Sequence, residues 1–378
     1  MIASSPRRAD VRSGTPRTMG VMLAFAIGAV LWGAGCSGLD TSPPELSIWY
    51  GPHQQVGHLG PAQDDFNLLG SVQAPNGVAA LTYRLNEAAP ETLRVGRGPF
   101  GDGRRLGAPG DFNADIAVNR LRVGPNTVEL TATDSAGAQS TARVRVDRQA
   151  GNRYPLPAAI DWTQVDDLQD VGQVVDGKWG LSETGVRTLE TGYDRIFLIG
   201  DTTWQDYEIT VPVTIHAVDA ETGPRSGGNG LGLLMRFKGH AVGTYREWPA
   251  DQPKWGYQPF GAIGWLRWND GAERPPYRQF YHGDYNTTEN FGTYPIQEGE
   301  TYWMRMRAET RPDTDEGHGV TRYAWKAWPD GQDEPAAWAF EVTQTSEHAL
   351  RRGGVVLLAH HVDATFGNVR IRPLNGSP

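Results

Sequence analysis

The sequence holds a single cysteine in 378 residues, Cys36, so no internal disulfide can staple the fold. Charge is sparse, at 21% of residues, and not basic: the net charge is −9. A chain of that sign lacks the cationic footprint of non-specific nucleic-acid binding, which excludes nucleic acid as a partner. The one pronounced apolar run, Met19 to Trp32, is too short and too soon followed by polar sequence to span a bilayer. Helical periodicity and fixed-length repeats are missing from the C-terminal half. The glycine-rich run Ser226-Gly-Gly-Asn-Gly230 lacks the Gly-Lys-Ser/Thr ending of a phosphate loop and precedes a strand pattern, so it reads as a turn.

What is abundant is glycine (47), proline (26) and tryptophan (13). That composition suits a turn-rich, aromatic-rich all-β protein, and the length suits two domains. Arg7, Arg8, Arg12 and Arg17 precede the apolar run, and Gly33-Ala-Gly35 precedes Cys36, which together predict a secretory signal peptide over residues 1–35. Losing its four Arg and one Asp takes the net charge from −9 to −12.

Gly33-Ala-Gly-Cys36 resembles the lipobox of bacterial lipoproteins, with Gly33 where that family has an aliphatic residue and Leu31 two positions too early. The resemblance implies lipidation of Cys36, a membrane-anchored protein, and, with Ser37 following, the outer membrane or cell surface. The alternative is ordinary signal cleavage beside an incidental cysteine. Residues 36–45 then read as a lipidated tether, rich in Ser, Pro and Gly.

From Leu46 to about Arg148 short alternating strands are separated by turns. Thr127–Thr133 and Ser140–Val146, joined through Asp134-Ser-Ala-Gly137, predict a closing hairpin. The segment resembles the last strands of immunoglobulin-like and cadherin-like modules of bacterial secreted proteins. It implies an immunoglobulin-like β-sandwich over 46–150, whose expected role is a spacer.

Residues 151–378 carry a second, longer set of strands. Tyr207, Ile209, Val211, Val213 and Ile215 share one face of a strand, and Glu208, Thr210, Thr214 and His216 share the other. Pro212 places that strand at an edge or on a bulge. Alternation puts Leu233, Met235 and Phe237 opposite Leu234, Arg236 and Lys238, and Tyr302, Met304 and Met306 opposite Trp303, Arg305, Arg307 and Glu309. "TTWQDYEITVPVTI", "GLGLLMRFKGH", "RYAWKAWPDGQDEPAAW" and "GGVVLLAHHVDATFGNVRIRPL" resemble the concanavalin A-like jelly rolls, laminin-G-like and 3-keto-disaccharide-hydrolase-like domains in particular. The resemblance implies a jelly-roll β-sandwich and a polysaccharide or oligosaccharide partner. The Glu-x-Asp-x-x-Glu run of the glucanase branch is absent, and Thr214-Ile-His216 matches only two residues of the lyase branch's Gln-Ile-His.

Candidate site residues follow. Aromatic residues crowd the stretch from Tyr245 to Tyr285, including Trp248, Trp255, Tyr257, Trp265, Trp268, Tyr277 and Tyr281, and could stack on sugar rings or fill a core. Arg236, Arg305, Arg307 and Lys326, with Arg267, fall on polar strand faces. If these share a concave sheet they form a basic groove for uronic-acid or sulfated glycans; otherwise they pair with acidic neighbours. Glu208, Glu309 and His216 are the catalytic candidates if the domain is instead a glycoside hydrolase or polysaccharide lyase. In His360-His361-Val362-Asp363, strand alternation points His360 away from His361 and Asp363, which argues against a transition-metal site. Asp363 is the candidate ligand for a structural calcium, by resemblance to calcium-binding jelly rolls. The expected function is a surface-anchored polysaccharide-binding lipoprotein with acidic glycans preferred, and the alternative is a glycan-active enzyme on the same scaffold.

Overall fold

A computed structural model describes residues 40–240, 252–254, 261–268, 275–282, 288–311, 320–345 and 349–374. The signal segment, Cys36, Tyr245, Trp248, Trp255, Tyr257 and Tyr285 lie outside the described residues. Among the described residues no helix is long and apolar enough to cross a membrane.

Eight strands come first: β1 (Glu45–Ile48), β2 (His53–Val56), β3 (Asp65–Gln73), β4 (Val78–Leu85), β5 (Glu91–Leu93), β6 (Asp111–Ala117), β7 (Gly124–Asp134) and β8 (Gln139–Arg148). They form a three-stranded sheet, β1-β3-β6, facing a five-stranded one, β2-β8-β7-β4-β5. The predicted hairpin is β7–β8, with Thr131 opposite Thr141. Its turn closes because the Asp134 carboxylate accepts the N–H groups of Ala136 and Ala138 and Gly137 adopts φ +88. Along β7, Val128, Leu130 and Ala132 point inward against Leu68, Tyr83, Phe112 and Val144.

The chain continues through β9 (Ala158–Ile160), β10 (Gln173–Asp176), β11 (Trp179–Ser182), β12 (Gly185–Thr188), β13 (Arg195–Ile199) and β14 (Tyr207–Val218). Next come β15 (Asn229–Phe237), β16 (Ala262–Trp268), β17 (Tyr277–His282), β18 (Thr288–Thr293) and β19 (Thr301–Arg311). The last are β20 (Val320–Pro329), β21 (Phe340–Gln344), β22 (Gly354–His360), β23 (Val362–Phe366) and β24 (Val369–Pro373). One sheet runs β10-β13-β22-β15-β16-β17-β18; the other runs β11-β12-β23-β14-β19-β20-β21, with β24 joining β14 to β9. Connections such as β13–β14, β14–β15 and β22–β23 cross between the two sheets, as in a jelly roll. The protein is all-β, two sandwiches in succession.

The core of the second sandwich is built by alternation. Tyr207, Ile209, Val211, Val213 and Ile215 of β14 meet Leu231, Leu233 and Met235 of β15 and Val355, Leu357 and Ala359 of β22. Trp325 fits because Gly264 lies opposite: a Cβ there would stand 2.3 Å from the indole Cγ. Of the two alternatives for the Pro212 strand, the bulge holds and the edge does not: β14 is flanked on both sides and its register shifts between Ile215 and Ala217. Pro212 sits where β24 stops pairing and β23 begins, and its carbonyl accepts Gly367 N–H. Alternation along β15 breaks at Arg236, whose φ of +60 marks a bulge between Met235 and Phe237. Phe237 therefore joins Leu234 on the outer face.

Strands β3 and β6 are buried on both faces. Phe66, Leu68, Phe112, Ala114 and Ile116 fill the first core. Asp65, Asn67, Asn113 and Asp115 on the other face are also buried, against the second sandwich. There Arg105 bridges Asp115 at 2.6 Å and Asp176 of β10 at 2.7 Å, and Lys254 reaches Asp65 at 2.8 Å. Asn113 donates to the Val175 carbonyl.

Candidate functional site

The outward face of the larger sheet carries the charged residues that β19, β20 and β24 display at every second position. Register aligns them in rows. Glu208 on β14 stands between Arg307 on β19 and Arg372 on β24, and Thr210 between Arg305 and Arg370, with Lys326 beyond Arg305. In the next row Pro212 is followed by Trp303 and Trp328. The two indoles stack with centroids 6.3 Å apart and planes 15° from parallel.

Glu208 is 3% exposed because three guanidinium groups cover it. Arg307 approaches one oxygen at 2.7 Å; Arg305 and Arg372 each approach the other at 3.1 Å. The segment after β20 folds back over the same face. Its Glu334 accepts from Arg305 and Lys326, the Pro335 carbonyl accepts from Lys326 at 2.6 Å, and the Trp338 ring lies under both Lys326 and Arg307. Burial alone would raise the Glu334 carboxyl, but the Lys326 and Arg305 cations hold it below the usual carboxylate range. Among the described residues, Arg305, Arg307, Arg372 and Lys326 pair with two carboxylates, Glu208 and Glu334, and Arg370 stands beside them, so cations outnumber anions in these rows. Between these rows and β9 lies an open cleft of about 560 Å³, floored by Thr210, Ala158 and Ala159 and walled by Trp303, Trp328, Arg305, Arg370 and Arg372. Small side chains on β9 leave the room, and Arg370 and Arg372 project because they alternate with buried Val369 and Ile371.

The structure brings Arg305, Arg307 and Lys326 onto one face, but not with the other basic candidates. Arg236 lies in no groove: its side chain is fully buried, bonded to Thr321 and Thr310 and to the carbonyls of Gln205 and Leu350, a result of the bulge in β15. Trp265 and Arg267 occupy the outer face of the opposite sheet, with the guanidinium 4.3 Å from the indole centroid, and Trp268 points to the core side.

The catalytic candidates also separate. Both Glu208 oxygens are engaged by guanidinium groups, so it serves as an anchor and not as a proton donor. The Glu309 carboxylate turns to Arg311 at 3.1 Å. His216 lies eight residues from Glu208 along β14, roughly 26 Å at about 3.3 Å per residue. Its Nε2 meets the Thr365 hydroxyl at 2.7 Å, and burial with the nearby Arg187 pushes its pKa down. Asp363 is held bidentately by Arg187 at 2.7 and 2.9 Å, so its oxygens are committed to a cation of the protein. Among the described residues no group of three or more His, Cys, Asp or Glu is placed to hold a metal ion.

Sequence reading passed over Trp303, Trp328, Arg370, Arg372 and Glu334. The signal was present as period-two strings, Trp303-x-Arg305-x-Arg307, Lys326-x-Trp328 and Arg370-x-Arg372, each with apolar residues between.

No protein-family model matches the chain, and no curated protein matches its sequence. Solved structures with related architecture include the VIP36 exoplasmic/lumenal domain bound to Ca²⁺ and Man3GlcNAc, 13% identical over 55% of this chain and 87% of that one, with a TM-score of 0.35. A protein of unknown function with a galectin-like fold from Bacillus subtilis is 11% identical over 57% and 94%, with a TM-score of 0.34. The lectin from Bauhinia forficata in complex with GalNAc is 8% identical over 57% and 97%, with a TM-score of 0.32. These likenesses are loose, and the architecture rests on the strand pairing described above.

Proposed function

We propose that this chain is an exported lipoprotein, anchored at Cys36, whose second sandwich binds polysaccharide and prefers acidic glycans. The first sandwich, an immunoglobulin-like spacer over residues 46–150 in this reading, holds the binding sandwich over residues 151–378 away from the membrane. The carrying observation is the cleft on the outer sheet face, where stacked Trp303 and Trp328 adjoin Arg305, Arg370 and Arg372. Flat aromatic faces take the apolar side of a sugar ring, and guanidinium forks match carboxylates and sulfates. Glu208 supports this reading by fixing Arg305, Arg307 and Arg372 in place without cancelling their charge.

The test is a glycan array followed by calorimetry on the full mature chain. Polyuronates or sulfated glycans should bind, and Arg370→Ala with Arg372→Ala should weaken them at least about tenfold, with neutral ligands less affected. Binding unchanged by those substitutions and by Trp303→Ala would place the ligand elsewhere and remove the reading.

A further inference from the structure

A second constellation lies at one end of the seven-stranded sheet, away from the arginine cleft. His360 ends β22 and Val362 begins β23, so His361 alone makes the corner, with φ +54. That left-handed residue cancels the strand alternation expected for the pair. Both rings lie together, centroids 4.7 Å apart and nearly perpendicular, and both Nε2 atoms meet the Ser226 hydroxyl, at 3.1 Å from His360 and 2.7 Å from His361. Ser226 ends a short 3-10 turn, Gly223–Ser226, that stops at Gly227 and Gly228, both at positive φ. Asp194, itself at φ +45, presents Oδ1 to His360 Nδ1 at 2.7 Å. Left-handed conformations are uncommon outside glycine, and two of them place the working atoms here.

The nearer hydrogen-bond partners favour one placement of the protons. At His360 Nδ1 the Asp194 carboxylate, at 2.7 Å, is nearer than the Asp194 backbone N–H, at 3.3 Å, so Nδ1 is assigned the proton and Nε2 is a bare acceptor. The Thr222 hydroxyl gives its one proton to the Asp219 carboxylate and therefore accepts from His361 Nδ1–H, which leaves His361 Nε2 bare as well. Two imidazole lone pairs and the Gly223 carbonyl then compete for the single Ser226 proton. A hydroxyl facing more acceptors than it can serve, one of them an imidazole backed by a carboxylate, is the nucleophile–base–orienter arrangement. Burial, His360 and Arg195 push His361 down to about 3, so it stays neutral beside its partner.

A cation lies beside the residue that follows Ser226, and a cleft opens at His361. Arg267, 8% exposed, donates through Nη2 to the Gly227 carbonyl, and its Nε and Nη1 have no partner. Tyr193 and Trp265 brace the His360 ring edge-on. A cleft of about 200 Å³, lined by Arg104, Tyr193, Thr222, Arg225 and His361, opens at His361, and Ser226 is itself partly exposed.

We propose that Ser226, His360 and Asp194 form an acyl-transfer site that hydrolyses carboxylic esters, an activity independent of glycan binding in the arginine cleft. Ser226 Oγ forms a bond to the acyl carbon as its proton passes to His360 Nε2 and the carbonyl π pair moves onto oxygen. Collapse breaks the bond to the alcohol oxygen, which leaves with the proton from Nε2. Water repeats the sequence on the acyl-enzyme, releasing the carboxylic acid and restoring Ser226. Asp194 keeps the imidazole oriented and balances its charge, and the positive charge of Arg267, bonded to the adjacent Gly227 carbonyl, favours negative charge on the acyl oxygen.

The full chain is treated with a fluorophosphonate, which loses fluoride on forming an Oγ–P bond, and separately with p-nitrophenyl acetate. One adduct mapping to Ser226 is expected, and ester hydrolysis should fall at least about 10²-fold in Ser226→Ala and in Asp194→Asn. If Asp194→Asn does not fold, adduct mapping on the unsubstituted chain and the Ser226→Ala rate decide. No adduct, an adduct at another residue, or a rate unchanged in Ser226→Ala overturns the proposal.

Discussion

Arg105 of the first sandwich and Asp176 of the second meet at 2.7 Å, with 1% and none of their side chains exposed. The same guanidinium also holds Asp115, so one cation serves two buried carboxylates. Removing it leaves buried Asp115 with only the neutral donors of Asn67 and the Lys254 N–H, and Asp176 with only Arg195 at 3.8 Å. Arg105→Ala should therefore lower the unfolding free energy by about 3–5 kcal/mol, read by chemical denaturation. A loss below about 1 kcal/mol would mean that water or another cation replaces Arg105.

Glu208 plays the mirror role on the far side of the molecule, one anion under three cations. Glu208→Gln should cost about 2 kcal/mol, because charge-assisted hydrogen bonds become neutral ones and the guanidinium groups repel. If Glu208 were instead a hydrolytic carboxylate, the substitution would abolish polysaccharide cleavage while leaving the melting temperature unchanged.

Two kinds of contact in the cleft should respond differently to ionic strength. Stacking on Trp303 is nearly independent of salt, whereas Arg370 and Arg372 act through charge, which is screened as the Debye length falls from about 10 Å to about 3 Å between 0.1 and 1 M. Trp303→Ala should reduce affinity for an acidic glycan at every salt concentration. Arg372→Ala should reduce it mainly at low salt, a separation that titration calorimetry at two ionic strengths can measure.

Acid sensitivity should trace to His361. Its folded pKa, near 3, lies below the value of 6.5 for a free imidazole, with burial as the leading cause. Below pH 6.5 the unfolded chain takes up a proton that the folded one refuses, so this residue's contribution is complete above that pH and declines as pH falls towards 3. His361→Gln should flatten the fall in stability between pH 7 and pH 4, followed by denaturant midpoints. An unchanged slope would assign the loss to the carboxylates.

Cys36→Ser tests the anchor. If the lipobox-like segment is processed as it reads, the substituted protein should move from the membrane to the soluble fraction and take up no labelled acyl chain.

The strands were largely legible in the sequence because one buried face imposes a period of two. β14, β19 and the β7–β8 hairpin could be read residue by residue. The failures fall where that period breaks or where it does not decide. A bulge at Arg236 and a left-handed corner at His361 each reversed the side on which the following residues lie, and neither is a glycine that would have flagged it. Trp265 and Arg305 both sit on outward faces, but of opposite sheets, and alternation cannot distinguish one sheet from the other. Ser226, Asp194 and His360 are far apart in the chain and meet only through topology.

The double burial of β3 and β6 has a mechanical consequence. Residues 149–157 alone join β8 to β9, and a connection of that length would let the sandwiches swing apart under tension. With Asp65, Asp115 and Asp176 clamped by Arg105 and Lys254, a pull on a polymer held beside Trp303 would pass through the sheet-to-sheet contact into β3 and β6, and from there to the strand that begins at Glu45. If the proposed anchor and ligand hold, that load would reach Glu45 along hydrogen-bonded strands and buried ion pairs and not through the 149–157 connection alone.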